Sequence, residues 1–132
     1  MRAFFNAVFE PGFFASAPVH AALLTGAVVA TDDGSVGHHG LVTELLAAEL
    51  DGDTRAEVYA CGPPPMLEAV RALCADRDIP AQLALESGMA CGYGACFGCV
   101  VETTEGYIRL CVDGPVIEAA RLETALTPGA GH

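Results

Sequence analysis

One cysteine- and glycine-rich stretch decides how the rest of the chain is interpreted: residues 86–116, which read ESGMACGYGACFGCVVETTEGYIRLCVDGPV. Its first three cysteines, Cys91, Cys96 and Cys99, are spaced C-x4-C-x2-C, and Cys111 follows after eleven intervening residues. Glycines are interleaved with these cysteines, and glycine lets a backbone curl through positive φ. The stretch therefore predicts a tight loop that turns several thiols toward one point.

The second half of the stretch predicts a β-hairpin. Residues 100–104 and 107–111 are rich in Val, Thr, Tyr and Ile, and Glu105-Gly106 between them is a turn sequence. This pairing would place Cys111 at the end of the second strand. The loop would then supply the first three thiols of one site, and the second strand would supply a fourth that is distant in sequence.

The cysteine spacing predicts a metal centre. Three thiolates at C-x4-C-x2-C with a distant fourth are typical of plant-type [2Fe–2S] clusters, and soft thiolates are the ligands that such clusters select. Backbone N–H groups brought close by the glycines would donate to sulfur and tune the reduction potential. We therefore expect Cys91, Cys96, Cys99 and Cys111 to bind iron.

Two other uses of four cysteines stay open on the residues alone. A four-cysteine zinc site usually combines two short C-x2–4-C knuckles, and only one is present here. A disulfide framework needs a secretory context, and the early Asn6, Glu10 and Pro11 fit a signal peptide poorly.

The remaining cysteines differ from these four. Cys74 falls on the apolar stripe of a predicted helix, where a buried structural thiol is expected. Cys61 follows a predicted strand at the edge where open α/β sheets place their ligands, so a structural and a cofactor-facing role are both open. His38 and His39 lie in a glycine-rich stretch and are interpreted as solvated loop residues.

Upstream of the stretch the chain alternates strands and helices. Strands are predicted at 27–31, 56–60 and 81–86, with helices at 41–50 and from Met66 to about Asp78 between them. This order predicts βαβ crossovers and a parallel sheet. The glycine fingerprint of a dinucleotide-binding domain is absent, so the sheet is interpreted as a partial one, the second half of such a domain.

Composition limits the choice of partner. The 132 residues carry 6 Lys and Arg against 17 Asp and Glu, a net charge of −11, which argues against nucleic acid because phosphate binding needs clustered cations. No apolar run reaches the roughly 18 residues of a membrane span. Thiols kept for metal binding suit a reducing compartment, so a cytoplasmic location is expected.

Four segments follow from these patterns. Residues 1–26 form an unassigned apolar segment that contains every phenylalanine except Phe97. It would either pack on the body of the protein or meet another domain or subunit. Residues 27–86 form the partial α/β domain, residues 87–122 the cluster domain, and residues 123–132 a tail.

Three stretches resemble one family, the electron-transfer subunits of NAD-linked dihydroorotate dehydrogenases in the ferredoxin reductase superfamily. ATDDGSVGHHGLVTELL (30–46) is similar to a late strand–loop–helix of their nucleotide domain. VYACGPPPMLEAV (58–70) resembles the turn near their nicotinamide and flavin rings, and 86–116 resembles their [2Fe–2S] domain. In a related branch that serves ferredoxin–NADP transhydrogenation, an aspartate is expected at the first ligand position, so Cys91 favours the dihydroorotate branch.

The resemblance implies a function in pyrimidine biosynthesis. Such subunits carry FAD facing NAD, and their cluster relays single electrons between that FAD and the FMN of a catalytic partner, which oxidises dihydroorotate to orotate. Cys61 and Gly62 would then lie at the nicotinamide and flavin edge. A hetero-oligomer with the FMN-containing catalytic subunit is expected, without nucleic acid and without a membrane span.

The sequence also departs from the family pattern. It holds no counterpart of the FAD-binding barrel or of the first strands of the nucleotide domain, so FAD and NAD binding by this chain alone is not expected. Three alternatives stay open: the chain is a fragment, a truncated reading frame, or half of a split protein in which a second chain supplies the FAD domain. The chain is not expected to be catalytic by itself. Alternative functions are a stand-alone ferredoxin-like carrier and a zinc-stabilised interaction module.

Overall fold

The computed structural model describes residues 28–51 and 55–127, so the predicted segment 1–26 lies outside the described residues. The elements follow in chain order: β1 (Ala30–Thr31), β2 (His38–His39), α1 (Val42–Leu50), β3 (Val58–Cys61), α2 (Pro64–Asp76), β4 (Ala81–Ala84), β5 (Val100–Thr103), β6 (Gly106–Arg109), α3 (Leu110–Asp113), β7 (Val116–Glu118) and a 3-10 turn (Ala119–Arg121). None of the helices in these ranges has the length and apolar character needed to cross a bilayer.

A three-stranded sheet in the order β3–β4–β7 forms the centre of the α/β part. Strands β3 and β4 run parallel, with Val58 opposite Ala81, and α2 makes the crossover between them. The predicted βαβ unit is therefore confirmed. The third strand, β7, runs antiparallel to β4, with Leu83 opposite Ile117, and it comes from beyond the hairpin rather than from the start of the chain.

The predicted first strand is placed differently. Only Ala30 and Thr31 of the described residues are extended there, and they pair in parallel with His38 and His39 instead of joining the central sheet. The two histidines are thus part of a short pairing and not a purely solvated loop. His38 Nε2 lies 2.6 Å from Glu44 Oε2, an additional contact that holds the loop against α1.

Helix α2 begins and ends two residues earlier than predicted. Pro64 and Pro65 occupy its first turn, where the N–H groups have no intrahelical partner, so the prolines start the helix rather than precede it. Leu67, Val70 and Cys74 on its buried face pack with the sheet residues of the core. Cys74 is only 1% exposed, which confirms the expectation of a buried thiol.

The core continues from the sheet into the cysteine-rich part. Cys99, Val101 and Leu110 belong to the same buried cluster as Leu83 at the centre of the sheet. Residues 123–127 are also docked, since Glu68 Oε2 on α2 accepts the backbone N–H of Ala125 at 2.6 Å. The cysteine-rich part therefore rests on the same core as the sheet.

Candidate metal centre

The four predicted ligands come from two elements of the fold. Cys91, Cys96 and Cys99 lie on the loop between β4 and β5, and Cys111 lies on α3 just after β6. The predicted hairpin forms, with Val100 opposite Arg109. Cys111 was expected at the end of the second strand, and this is wrong: the strand ends at Arg109, and the chain turns into a single helical turn that carries the thiol.

The thiols are arranged as two pairs. Cys91 interacts with Cys96, and Cys99 interacts with Cys111, in each case through the side chains. Cys91 also acts electrostatically on both members of the other pair. All four thiols are free, and they share one region of the structure.

Backbone N–H groups face the sulfur atoms. The N–H of Cys96, followed by that of Tyr93, lowers the pKa of the Cys91 thiol to about 6. The backbone N–H of Cys111 lowers the pKa of Cys99. Gly98 donates its N–H to Cys96 Sγ at 3.4 Å. Because a thiol must ionise before it binds a metal, these N–H groups favour the thiolate form that a metal would need.

The Cys111 thiol shows the opposite effect. Its hydrogen bond with Cys99 and the charge on that neighbour raise its pKa, and only the backbone N–H of Gly94 acts in the other direction. Two thiolates side by side repel each other, so the second proton of a pair is held more tightly. A bound cation would remove this repulsion, because it would stabilise both negative sulfurs.

Two glycines shape the loop, as the sequence predicts. Gly92 and Gly94 have φ values of +73° and +87°. A Cβ on Gly94 would lie 2.6 Å from Val112 Cγ2, whereas a Cβ on Gly92 would meet nothing within 4 Å. Glycine at position 94 therefore does two things: it allows the backbone to turn through positive φ, and it lets the loop pack closely against the segment that carries Cys111.

The exposure of the four cysteines is uneven. Cys99 is 2% exposed and lies in the core, Cys91 and Cys111 are half-buried, and Cys96 is exposed. Among residues 28–51 and 55–127, no three His, Cys, Asp or Glu side chains meet closely enough to hold one metal ion. The thiols are brought together as pairs rather than as a single four-ligand set.

Cys61 and Gly62, the predicted nicotinamide and flavin edge, are not among the residues that interact with the four thiols. Cys61 ends β3 at the carboxyl edge of the sheet and is exposed, and it takes no part in the thiol pairs. Gly62 follows it, and a Cβ there would meet the flexible end of Met66. Their position at the sheet edge is as predicted, and their role stays a prediction.

The structure adds a residue that the sequence reasoning missed. Arg109 Nη1 donates to the carbonyl of Gly94 at 3.1 Å, and its guanidinium lies 5.4 Å from the centroid of the Phe97 ring. The sequence does contain one indication of its importance, because Arg109 is the single Lys or Arg in residues 86–116. An open depression lined by Phe97, Val100, Tyr107 and Arg109 lies beside it.

Comparison with known proteins addresses this same segment. Residues 86–123 match the family model described as the iron–sulfur cluster binding domain of dihydroorotate dehydrogenase B. This part of the chain is similar to that family. The domain includes all four paired cysteines, and the prediction of an iron–sulfur segment there is confirmed.

The similarity to curated proteins extends beyond the cluster-binding domain. The chain is 42% identical over 93 residues to the electron transfer subunit of dihydroorotate dehydrogenase B (NAD(+)) of Desulforamulus reducens, covering 67% of this chain and 36% of the relative. It is 44% identical over 96 residues to that of Caldanaerobacter subterraneus, covering 70% and 38%. The chain thus spans little more than a third of the length of these relatives.

A solved structure shows the same fold. It is described as an NADH-dependent reduced ferredoxin-NADP oxidoreductase that illustrates flavin-based electron bifurcation. The TM-score is 0.65 at 26% identity, and the match covers 74% of this chain and 35% of that chain. This likeness confirms the predicted fold class, a partial α/β sheet of the ferredoxin reductase type followed by a cysteine-rich domain.

Proposed function

We propose that this chain is an electron-transfer component of a dihydroorotate dehydrogenase and that Cys91, Cys96, Cys99 and Cys111 hold a [2Fe–2S] cluster. The observation that supports it best is the pairing of the four thiols inside the segment that matches the cluster-binding family. In this proposal the chain carries electrons and is not catalytic alone.

The donor set fits such a cluster. Four cysteine thiolates are the ligands of a [2Fe–2S] centre, and Cys91, Cys96, Cys99 and Cys111 would supply all four. The pairs Cys91–Cys96 and Cys99–Cys111 would hold the cluster between them. Bound there, the cluster would supply one-electron steps between flavins that handle electrons in pairs.

The cysteines around the proposed centre differ in their burial. Cys99 is buried in the core, which anchors the site to the sheet, while Cys96 is exposed. Electron transfer between proteins falls off with distance, so an electron would leave or enter most readily on the Cys96 side. Backbone N–H groups of the loop would stabilise the thiolates throughout.

The surface around the loop suits a protein partner. Large apolar side chains are exposed there, led by Tyr93 (76%), Tyr107 (73%) and Phe97 (63%). Aromatic residues are enriched in protein interfaces, where they bury much area at low entropic cost. We propose that this face docks onto an FMN-containing catalytic subunit that oxidises dihydroorotate, and that the FAD domain and the NAD site are supplied outside the described residues.

The proposal places Cys61 and Gly62 at the nicotinamide and flavin edge of that assembly. The segment boundaries 27–86 and 87–122 belong to the same proposal, as does a cytoplasmic location, which suits six free thiols.

The decisive experiment is anaerobic reconstitution of the full chain with ferrous iron and sulfide. We expect two irons and two acid-labile sulfides per chain, with visible absorption that bleaches on dithionite. A protein that stays colourless, or one that takes zinc instead, would overturn the cluster assignment. A coloured protein that does not bind the FMN-containing subunit would favour a stand-alone ferredoxin-like carrier.

A further inference from the structure

Arg109 connects two parts of the chain that surround the paired thiols. It ends β6, immediately before the helical turn that carries Cys111. Its guanidinium reaches back to the loop between β4 and β5, where Nη1 donates to the Gly94 carbonyl at 3.1 Å and the planar group lies over Phe97. One side chain thus joins the ligand loop to the hairpin that supplies the fourth ligand.

The backbone around Arg109 is fixed as well. Its N–H donates to Asp113 Oδ2 at 2.7 Å, which ties the end of the strand to the turn holding Cys111. Gly94 is buried against the same side chain, since a Cβ there would lie 3.2 Å from Arg109 Nη1. The Gly94 N–H meanwhile faces the Cys111 sulfur. Gly94 is therefore held on both sides: its carbonyl accepts from the guanidinium, and its N–H faces a proposed ligand.

The charge on Arg109 lacks a carboxylate partner within the described ranges. Other arginines there form ion pairs: Arg71 with Glu68, Arg77 with Asp51, and Arg121 with Glu105. The Arg109 guanidinium instead contacts a neutral carbonyl and an aromatic ring. In a chain with a net charge of −11, Arg109 is therefore a cation outside the ion pairs of the described residues.

We propose that Arg109 is a positioning residue for the iron–sulfur centre: it clamps the ligand loop through the Gly94 carbonyl and the Phe97 ring, and its charge favours the reduced form of the centre. This inference rests on the proposed function. It goes beyond it in assigning a role to a side chain that is not a ligand.

The sign of the electrostatic effect follows from the electron count. The reduced centre carries one more negative charge than the oxidised centre, and net charge and nearby groups set the potential of such clusters. A fixed cation nearby therefore stabilises the reduced form. Removal of the charge should make the potential more negative, whereas loss of the clamp should speed the release of the cluster.

Three substitutions separate the two contributions in the reconstituted full chain. Arg109→Lys keeps the charge, Arg109→Gln keeps a hydrogen-bond donor without the charge, and Arg109→Met keeps neither. Arg121→Met is the matched control, because it removes the same charge from the opposite end of the hairpin, where Arg121 pairs with Glu105 at the turn. The readouts are the midpoint potential, by dithionite titration followed by electron paramagnetic resonance, and the rate of bleaching by an iron chelator.

We expect Arg109→Gln and Arg109→Met to shift the one-electron equilibrium at least about threefold toward the oxidised form, which is roughly 30 mV at 59 mV per tenfold. Arg109→Lys and Arg121→Met should stay near the wild-type potential. Bleaching should be fastest in Arg109→Met, by about tenfold, because a hydrogen bond from a charged donor is lost. Should that variant fail to fold, the glutamine and lysine variants decide the potential and the release rate.

The outcomes distinguish this inference from the function on which it rests. If wild type takes up no cluster, the proposed function fails and this inference fails with it. If wild type is loaded but the Arg109 variants match it in both potential and release rate, only the role of Arg109 is overturned. Equal shifts in Arg121→Met would also overturn it, since a general charge effect would then suffice.

Discussion

Leu110 donates its backbone N–H to the carbonyl of Cys99 over 3.1 Å, across the base of the hairpin. This bond continues the hairpin by one step beyond the Val100–Arg109 pair. It brings the residue after Leu110, which is Cys111, beside a thiol twelve positions earlier in the chain. The register of the hairpin, rather than the sequence of the loop, therefore places the fourth proposed ligand.

Substitution of Cys111 by alanine tests that placement. Cys111→Ala should reduce cluster occupancy roughly tenfold or more, because loss of even an outer-shell partner commonly costs about 10- to 100-fold in metal affinity. Iron per chain after reconstitution measures it. Cys61→Ala is the matched control, since Cys61 is also free but lies outside the thiol pairs. Equal iron in the two variants would contradict the ligand set.

Gly94→Ala should damage the site more than Gly92→Ala. Both positions have positive φ and share the backbone penalty, but only at Gly94 would the new methyl group lie within 2.6 Å of Val112 Cγ2. Overpacking of this kind typically costs about 1–3 kcal/mol. Thermal unfolding of the metal-free chain and the rate of cluster loss measure the two effects. A larger effect at Gly92 would show that space around Gly94 is not limiting.

Cys74 should prove purely structural. Cys74→Ala leaves a small cavity in the core beside α2, so we expect a loss of about 1–2 kcal/mol in the free energy of unfolding, with no change in iron content. Denaturant unfolding and iron analysis together measure this. A loss of iron at unchanged stability would be the opposite result, and it would place Cys74 in the metal site.

The free energy of unfolding should depend on pH through the Glu68 carboxylate. Its hydrogen bonds from Arg71, and then those from Ala125 and Thr124, lower its pKa to about 2 from an ordinary 4.5. A carboxylate with a depressed pKa stabilises the fold fully above its unfolded value, and this contribution is lost as pH falls through the folded value. We therefore expect the free energy of unfolding to decline between about pH 4.5 and pH 2.

Glu68→Gln should flatten that decline. At neutral pH the variant should be less stable by about 1–3 kcal/mol, because a partly buried set of charged hydrogen bonds is weakened. Glu123→Gln is the control, since Glu123 is exposed on the same docked segment. An unchanged pH profile in the Glu68 variant would show that the docking of residues 123–127 does not depend on its charge.

Tyr107→Ser should weaken binding to the FMN-containing subunit without unfolding the chain. Tyr107 is 73% exposed beside the depression lined by Phe97 and Arg109, so its removal leaves the core intact. A central aromatic residue of an interface typically contributes at least about tenfold in affinity. Leu41→Ser, another exposed apolar site (60%), is the control, and calorimetric titration measures both.

Sequence patterns were sufficient to predict an element or a site where the pattern was local or chemically distinctive. Helix α2 has several turns of apolar spacing, the hairpin has a glycine turn, and the cysteine spacing is rare enough to indicate its chemistry. The helical turn at Leu110–Asp113 is too short to show any period, so the location of Cys111 was misjudged.

Long-range partners left even less trace in the sequence. Val116–Glu118 has three residues, and only its pairing with β4 makes it a strand. Ala30–Thr31 fits a buried strand by composition, but hydrogen bonds to His38–His39 satisfy it locally. The contact between Arg109 and Gly94 spans fifteen residues, and it depends on the hairpin that sets Arg109 opposite Val100.

The register of the sheet has a consequence for the engineering of this protein. The chain leaves β4 at Ala84 and returns at Val116, and these two residues face each other in one antiparallel pair; Leu85 then donates to the Pro115 carbonyl at 2.8 Å. A segment with adjacent ends can be exchanged without disturbing the strands that carry it. Residues 85–115 therefore form one excursion from the sheet with adjacent ends, and a graft of them between two antiparallel strands of another protein would carry the complete thiol set. Such a host would also have to cover Cys99, Val101 and Leu110, which here pack on the core of the sheet.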